Sequence, residues 1–285
     1  MSASPAATRE GQLEWEARTA KPAAAAAFLA VALTVANVAI QAGAIGRPDN
    51  EREALLLVDK HHGDFFLSLG TQVVSYLLLM GALLYLLRAT MHRRPETPQF
   101  AIALLLLAPV LLAVGGVLNQ LDLNDIADQF LASGSRSNDR AEELLKDQSN
   151  LGRGLLQGGS LCLALSFVLV SLNAMRAGLL SRFMGVLGMI VGGLLVLPLL
   201  PGGQSMVQIF WLAALGVLFL GRWPNGRGPA WETGEAVPWP SAAETRDDAL
   251  VGRSDASEPV TDPASDSPAD ATPRRRSRKR KKKPR

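Results

Sequence analysis

The sequence predicts an all-α protein: a polytopic membrane bundle of about six transmembrane helices, with short amphipathic helices in its outer loops and a disordered C-terminal tail. Three observations carry this reading. Charged residues make up 19% of the 285 residues, against roughly 25% in a soluble chain. They are segregated, so that long apolar runs hold none while ten of the last twelve residues are Lys or Arg. The uncharged runs also recur at the length a bilayer demands, since a core of about 30 Å takes about 20 apolar residues in a helix.

Six runs meet or approach that length: Ala23–Gly46, Phe66–Leu87, Phe100–Leu121, Leu155–Met175, Phe183–Leu200 and Met206–Leu220. A soluble helix must turn one face to water and seldom goes so far without a charge. The first run is alanine-rich, and Ala42-Gly43-Ala44 has the small-x-small form of a signal-peptidase site. The long N-terminal segment of mixed charge before it and the length of the run argue against cleavage. The fifth and sixth runs are short and joined through Pro201-Gly202-Gly203, which predicts a tight helical hairpin. The resulting division is a cytoplasmic N-terminal segment at 1–22, a transmembrane domain at 23–221 and a tail at 222–285.

Orientation follows from the loops. Arg88, Arg93 and Arg94 follow the second run, and Arg176 and Arg182 bracket the turn after the fourth. The loops at 47–65 and 122–153 carry an acidic excess instead. Basic loops stay inside, which predicts both termini in the cytoplasm and the acidic loops outside the membrane. Those outer loops contain helix starts: Asn50 and Asp139 each precede a Glu by three residues, the spacing of a capping box. Leu55, Leu56 and Val58 follow in the first, Leu144 and Leu145 in the second, and Leu123, Ile126, Phe130 and Leu131 mark a third short amphipathic run. Their apolar faces are expected to pack on the protein or the interface.

Polar residues inside the runs fall on helix faces. Thr34, Asn37 and Gln41 share one face of the first, Ser68, Gln72 and Ser75 one face of the second, and Gln208 lies in the sixth. Gln157, Ser160, Ser166 and Asn173 mark the fourth. Two readings stand side by side. These residues line a polar cavity for a small solute or lipid, or they hydrogen-bond between helices, since lipid offers an amide no partner. Gly185, Gly188 and Gly192 share a face of the fifth run, and the Gly188–Gly192 pair suits close helix packing within the chain or between two copies. No charge lies deep in any run, which counts against proton or sodium coupling.

Catalytic chemistry finds no constellation here. There is no zinc-protease helix motif, phosphate-binding glycine loop or serine elbow. Cys162 is the only cysteine, so a disulfide within the chain is excluded. His61 and His62 stand near Asp59 and Asp64, but two ligands are half a structural zinc site. The expectation is a non-enzyme without cofactor or metal.

After Trp223 the composition changes. Trp231 and Trp239 sit in a Pro/Gly-rich stretch suited to the membrane interface. Residues 241–270 carry eight acidic against two basic residues, too polar to fold on their own. The chain ends on Arg274, Arg275, Arg276, Arg278, Lys279, Arg280, Lys281, Lys282, Lys283 and Arg285. Residues 1–221 hold fifteen Lys/Arg against sixteen Asp/Glu, so the basic pI belongs to this terminus. Anionic lipid headgroups attract such a cluster, and the acidic block upstream competes for it. Nucleic acid is disfavoured, because no aromatic residue interleaves the charges to stack on bases.

The stretch from Met175 to Met189, a short basic turn opening a Gly-rich helix, resembles a pattern in uncharacterised bacterial multi-pass membrane proteins grouped as a domain of unknown function. The Trp-Glu-Thr-Gly and Pro-Trp-Pro segments are similar to actinobacterial members. The resemblance implies a six-helix inner-membrane bundle and brings no activity or site residues. What remains is a structural or interaction protein with a lipid- or partner-binding tail, or alternatively a small-solute or lipid carrier or sensor.

Overall fold

The computed structural model describes residues 5–46, 48–196, 203–224 and 226–239. Among these, every regular element is helical: α1 (Pro5–Ile40), α2 (Glu51–Lys60), α3 (His62–Arg93), α4 (Phe100–Ala132), α5 (Asn138–Lys146), α6 (Asn150–Arg176), α7 (Arg182–Val196), α8 (Gly203–Phe219) and the single turn α9 (Ala230–Thr233). Four helices are long and apolar enough to cross a membrane: α1 with the turn after it, α3, α4 and α6. At 1.5 Å per residue, α7 and α8 are about 22 and 25 Å long, short of a bilayer core of about 30 Å. The expected hairpin at Pro201-Gly202 lies outside the described residues.

The long helices overrun the apolar stretches that predict them. α1 starts in the segment read from sequence as separate, because Gln12–Lys21 is rich in strong helix formers and runs straight into the alanines. Pro22 removes one N–H from this helix without ending it, as neighbouring elements in a membrane helix can allow. A π-helical turn, Gln41–Ile45, closes it, and Gly46 follows at φ +79°. The expected third amphipathic run is no separate helix: Leu123, Ile126 and Phe130 continue α4, which stops where Ser133 turns to extended backbone.

α2 and α5 stand where capping signals place them, with one shift. Asn50 accepts the Glu53 amide as the N-cap of α2. The N-cap of α5 is Ser137, whose Oγ accepts from Arg140, and Asp139 sits in the first turn instead. There its carboxylate favours the helix N-terminus. Leu55 and Val58 of α2, Ala141 and Leu144 of α5 and Ile126, Ala127 and Phe130 of α4 form a second, smaller core.

The six longer apolar helices form a closed ring: α1 on α3, α3 on α4, α4 on α6, α6 on α7, α7 on α8 and α8 back on α1. Leu79, Leu83, Leu86, Phe167 and Trp211 fill its interior. Leu29, Val110, Leu165, Phe183 and Phe210 point outward, each at least half exposed, as on a surface that meets lipid. The tightest seam is α4 on α6. A Cβ on Gly115 would stand 2.7 Å from the Leu156 nitrogen, and one on Gly152 2.7 Å from that of Asn119. Small residues there let two backbones touch.

Candidate functional site

Two polar clusters stand out in the ring, one inside it and one at the end where α3 finishes. The inner cluster joins α1 to α3 and contains six of the seven residues read as cavity candidates. The hydroxyls of Thr34 and Ser75 lie 2.9 Å apart, both within reach of the Ala30 carbonyl. Asn37 donates its amide to the Gln72 carbonyl oxygen and accepts from Ser68 at 2.5 Å. Gln41 reaches the same Ser68 hydroxyl at 3.5 Å. These groups satisfy one another across a helix interface, so the ladder answers the desolvation of its own amides and hydroxyls. Gln208, the seventh, is half-buried on α8 and outside the ladder. Of the fourth-run residues, Ser166 and Asn173 bond to carbonyls of their own helix.

The glycine face of α7 is also covered from within. A Cβ on Gly188 would meet the Ser171 hydroxyl of α6 and, at 2.9 Å, the Trp211 indole nitrogen of α8. One on Gly192 would stand 2.7 Å from the Ala164 carbonyl oxygen of α6. The GxxxG pair therefore seats α7 against α6 and α8.

The second cluster is built on a buried ion pair. Arg93, in the last turn of α3, and Glu16, on the N-terminal part of α1, have side chains 0% and 4% exposed. Arg93 Nη1 donates to Glu16 Oε1 at 2.5 Å and to the Ala89 carbonyl at 2.9 Å. Nη2 donates to Glu16 Oε2 at 2.9 Å and to the Ala230 carbonyl at 2.8 Å, and Nε donates to that same carbonyl at 2.9 Å. A guanidinium has five N–H donors, and all are matched. Gln12 donates a further bond to Glu16, and the Tyr85 hydroxyl donates to the Glu16 backbone carbonyl.

Ala230 belongs to the segment beyond α8, and this segment docks as a strap. Trp231 is 5% exposed. Its indole N–H donates to the Leu179 carbonyl at 3.0 Å, in the turn between α6 and α7. The ring lies parallel to Tyr85 with centroids 5.9 Å apart, and the Arg93 and Arg227 guanidiniums stand 5.6 and 5.5 Å from its centre. Arg227 reaches back to the Leu218 and Phe219 carbonyls, placing a cation at the C-terminus of α8. Gly178, at φ +75°, lies under the strap, where a Cβ would collide with the Val237 carbonyl oxygen. Arg9 and Glu235 close the outer edge at 2.5 Å.

Trp231, read from sequence as a membrane-interface residue, is thus an interior anchor, and residues 226–239 are part of the folded unit, which ends at Trp239. The Glu16–Arg93 pair has no local signature in the sequence, because its members stand 77 residues apart. What the sequence does show is the unbroken helix-forming run into Ala23 that carries Glu16. His61 and Asp64 pair at 3.0 Å while His62 packs on Phe66, and no cluster of three metal-binding side chains occurs among the described residues. The terminal cluster from Arg274 to Arg285 lies outside the described residues. No family profile matches the chain, and no curated protein or solved structure is significantly similar to it.

Proposed function

We propose that this is a six-span bacterial inner-membrane protein with both termini in the cytoplasm, which acts as a structural or interaction scaffold and delivers its polybasic terminus to anionic lipid. The observation that carries this reading is the docked strap. A chain whose last residues served no purpose at the membrane would have little need of a fully satisfied arginine and a buried tryptophan to fasten residues 226–239 to the bundle. The strap fastens the chain as far as Trp239 to the end of the bundle where Arg93 stands. Basic residues near an anionic surface contribute up to about 1 kcal/mol each. α7 and α8 complete the six spans as short helices, and α2 and α5 lie over the opposite, acidic face.

The test places a donor dye at the C-terminus of the full chain in vesicles carrying an acceptor-labelled headgroup. Energy transfer should rise with the phosphatidylglycerol fraction and fall as salt is raised, and deletion of residues 274–285 should remove this dependence on lipid charge. Transfer indifferent to lipid charge would overturn the proposal.

A further inference from the structure

Beside the strap lies a cleft that the proposed scaffold role does not use. α1 and α4 both pack on α3 but not extensively on each other, and the gap between them holds a cavity of about 590 Å³. Its walls are apolar: Ala23 and Ala26 of α1, Gly81 and Leu84 of α3, and Ile102 and Leu106 of α4. The space above Gly81 is open, with nothing within 4 Å of where a Cβ would stand. Leu106 is 45% exposed, so the cleft opens on the outward side of the ring.

One cation stands in this lining. Arg88 borders both the cleft and a smaller adjoining cavity lined by Gln12, Trp15 and Met91. Its guanidinium lies 5.4 Å from the centre of the Trp15 ring and makes no ion pair among the described residues. The carboxylates of Glu16, Glu96 and Glu235 at this end are taken by Arg93, Arg94 and Arg9. Arg88 is exposed at the rim, and Gly81 lies two turns deeper on the same helix, about 10 Å further into the apolar layer. A fork of N–H donors above a narrow apolar trough matches an amphiphile with an anionic head, since guanidinium binds phosphate bidentately.

We infer that the α1–α3–α4 cleft is a binding site for one anionic phospholipid of the leaflet at the basic end, its phosphate on Arg88 and one acyl chain over Gly81. The commitment to a membrane lipid rests on charge and position: the head-group partner stands where α3 leaves the apolar layer, and the trough runs inward from it. Trp15 flanks the head with an indole ring, the side chain favoured at that depth.

The test is native mass spectrometry of the full chain released from mild detergent after exchange into phosphatidylglycerol or phosphatidylcholine. Wild type should retain one phosphatidylglycerol per chain, about tenfold more than phosphatidylcholine, whose own ammonium already offsets the phosphate charge. Arg88→Gln should remove that preference and Arg88→Lys restore part of it. Gly81→Leu, which fills the trough, should lower retention of both lipids. Deleting residues 274–285 should leave the retained lipid in place, which separates this site from the tail. Equal retention of the two lipids by wild type, unchanged selectivity in Arg88→Gln, or loss of the lipid on deleting the tail alone would each overturn the assignment.

Discussion

Replacing Glu16 by Gln removes one charge from a pair that water does not reach. Arg93 would keep its bonds to Ala89 and Ala230 but face a neutral amide able to accept at one oxygen only. Breaking one side of a buried ion pair costs about 3–5 kcal/mol, most of it the stranded charge. For a chain of this size each kcal/mol moves the melting midpoint by about 2–4 °C, so a fall of roughly 6–20 °C is expected. The loss should also be local. Arg93 holds the strap through Ala230, so hydrogen exchange at the amides of residues 230–234 should accelerate well before that of α4 or α6. Trypsin should cut at Arg227 sooner. Arg93→Met combined with Glu16→Leu should cost less than the two single changes together, because neither charge is then left alone. A Glu16→Gln protein that melts within 2 °C or so of wild type and keeps the strap protected would refute the view that this pair fastens the chain end.

Three further outcomes follow from the geometry. Gly192→Leu should destabilise the bundle by about 1–3 kcal/mol, since its side chain would press on the Ala164 carbonyl and Phe167; cross-linking should show the oligomeric state of the purified protein unchanged. Asn37→Leu should cost about 1–2 kcal/mol by removing the bonds that Gln72 and Ser68 make to it, and a double-mutant cycle with Gln72→Leu should show positive coupling. On α5, the hydrogen bond from Lys146 to Glu142 raises the lysine pKa; what stability the pair adds is present below the unfolded lysine pKa and lost as pH rises through the raised one. Because both side chains are exposed, Glu142→Gln should return the Lys146 titration seen by NMR toward its ordinary value with no measurable change in melting.

The sequence was most legible where one physical signal had one meaning. Uncharged runs of membrane length marked α3, α4 and α6 because no soluble helix tolerates them, and Asn50 announced α2 because its side chain has a single use before a helix. The polar stripes on α1 and α3 were visible as stripes, but spacing alone could not say whether they faced a void or each other. Contact between Asn37 and Gln72 decides that, and it depends on the rotation of two helices, which no local pattern encodes. The strap was least legible. Its Pro/Gly-rich stretch has the composition of a linker, and its order comes from partners at Glu16, Arg93 and Leu179, all remote in sequence. The cleft leaves no sequence mark beyond Gly81, since an empty space is a property of three helices together.

The strap also sets an order of events during synthesis. Glu16 and Arg93 are made early, whereas Ala230 and Trp231 come more than two hundred residues after Glu16. At about 5–20 residues per second the interval is roughly 10–40 s. Throughout it Glu16 has no Trp231 to cover it, so that end of the nascent bundle stays open to water. Closure is then the final step, as the last helix-bearing stretch folds back on the first. A ribosome that stops short of Trp231 would release a bundle with α1 to α8 present and the Glu16–Arg93 pair open to water.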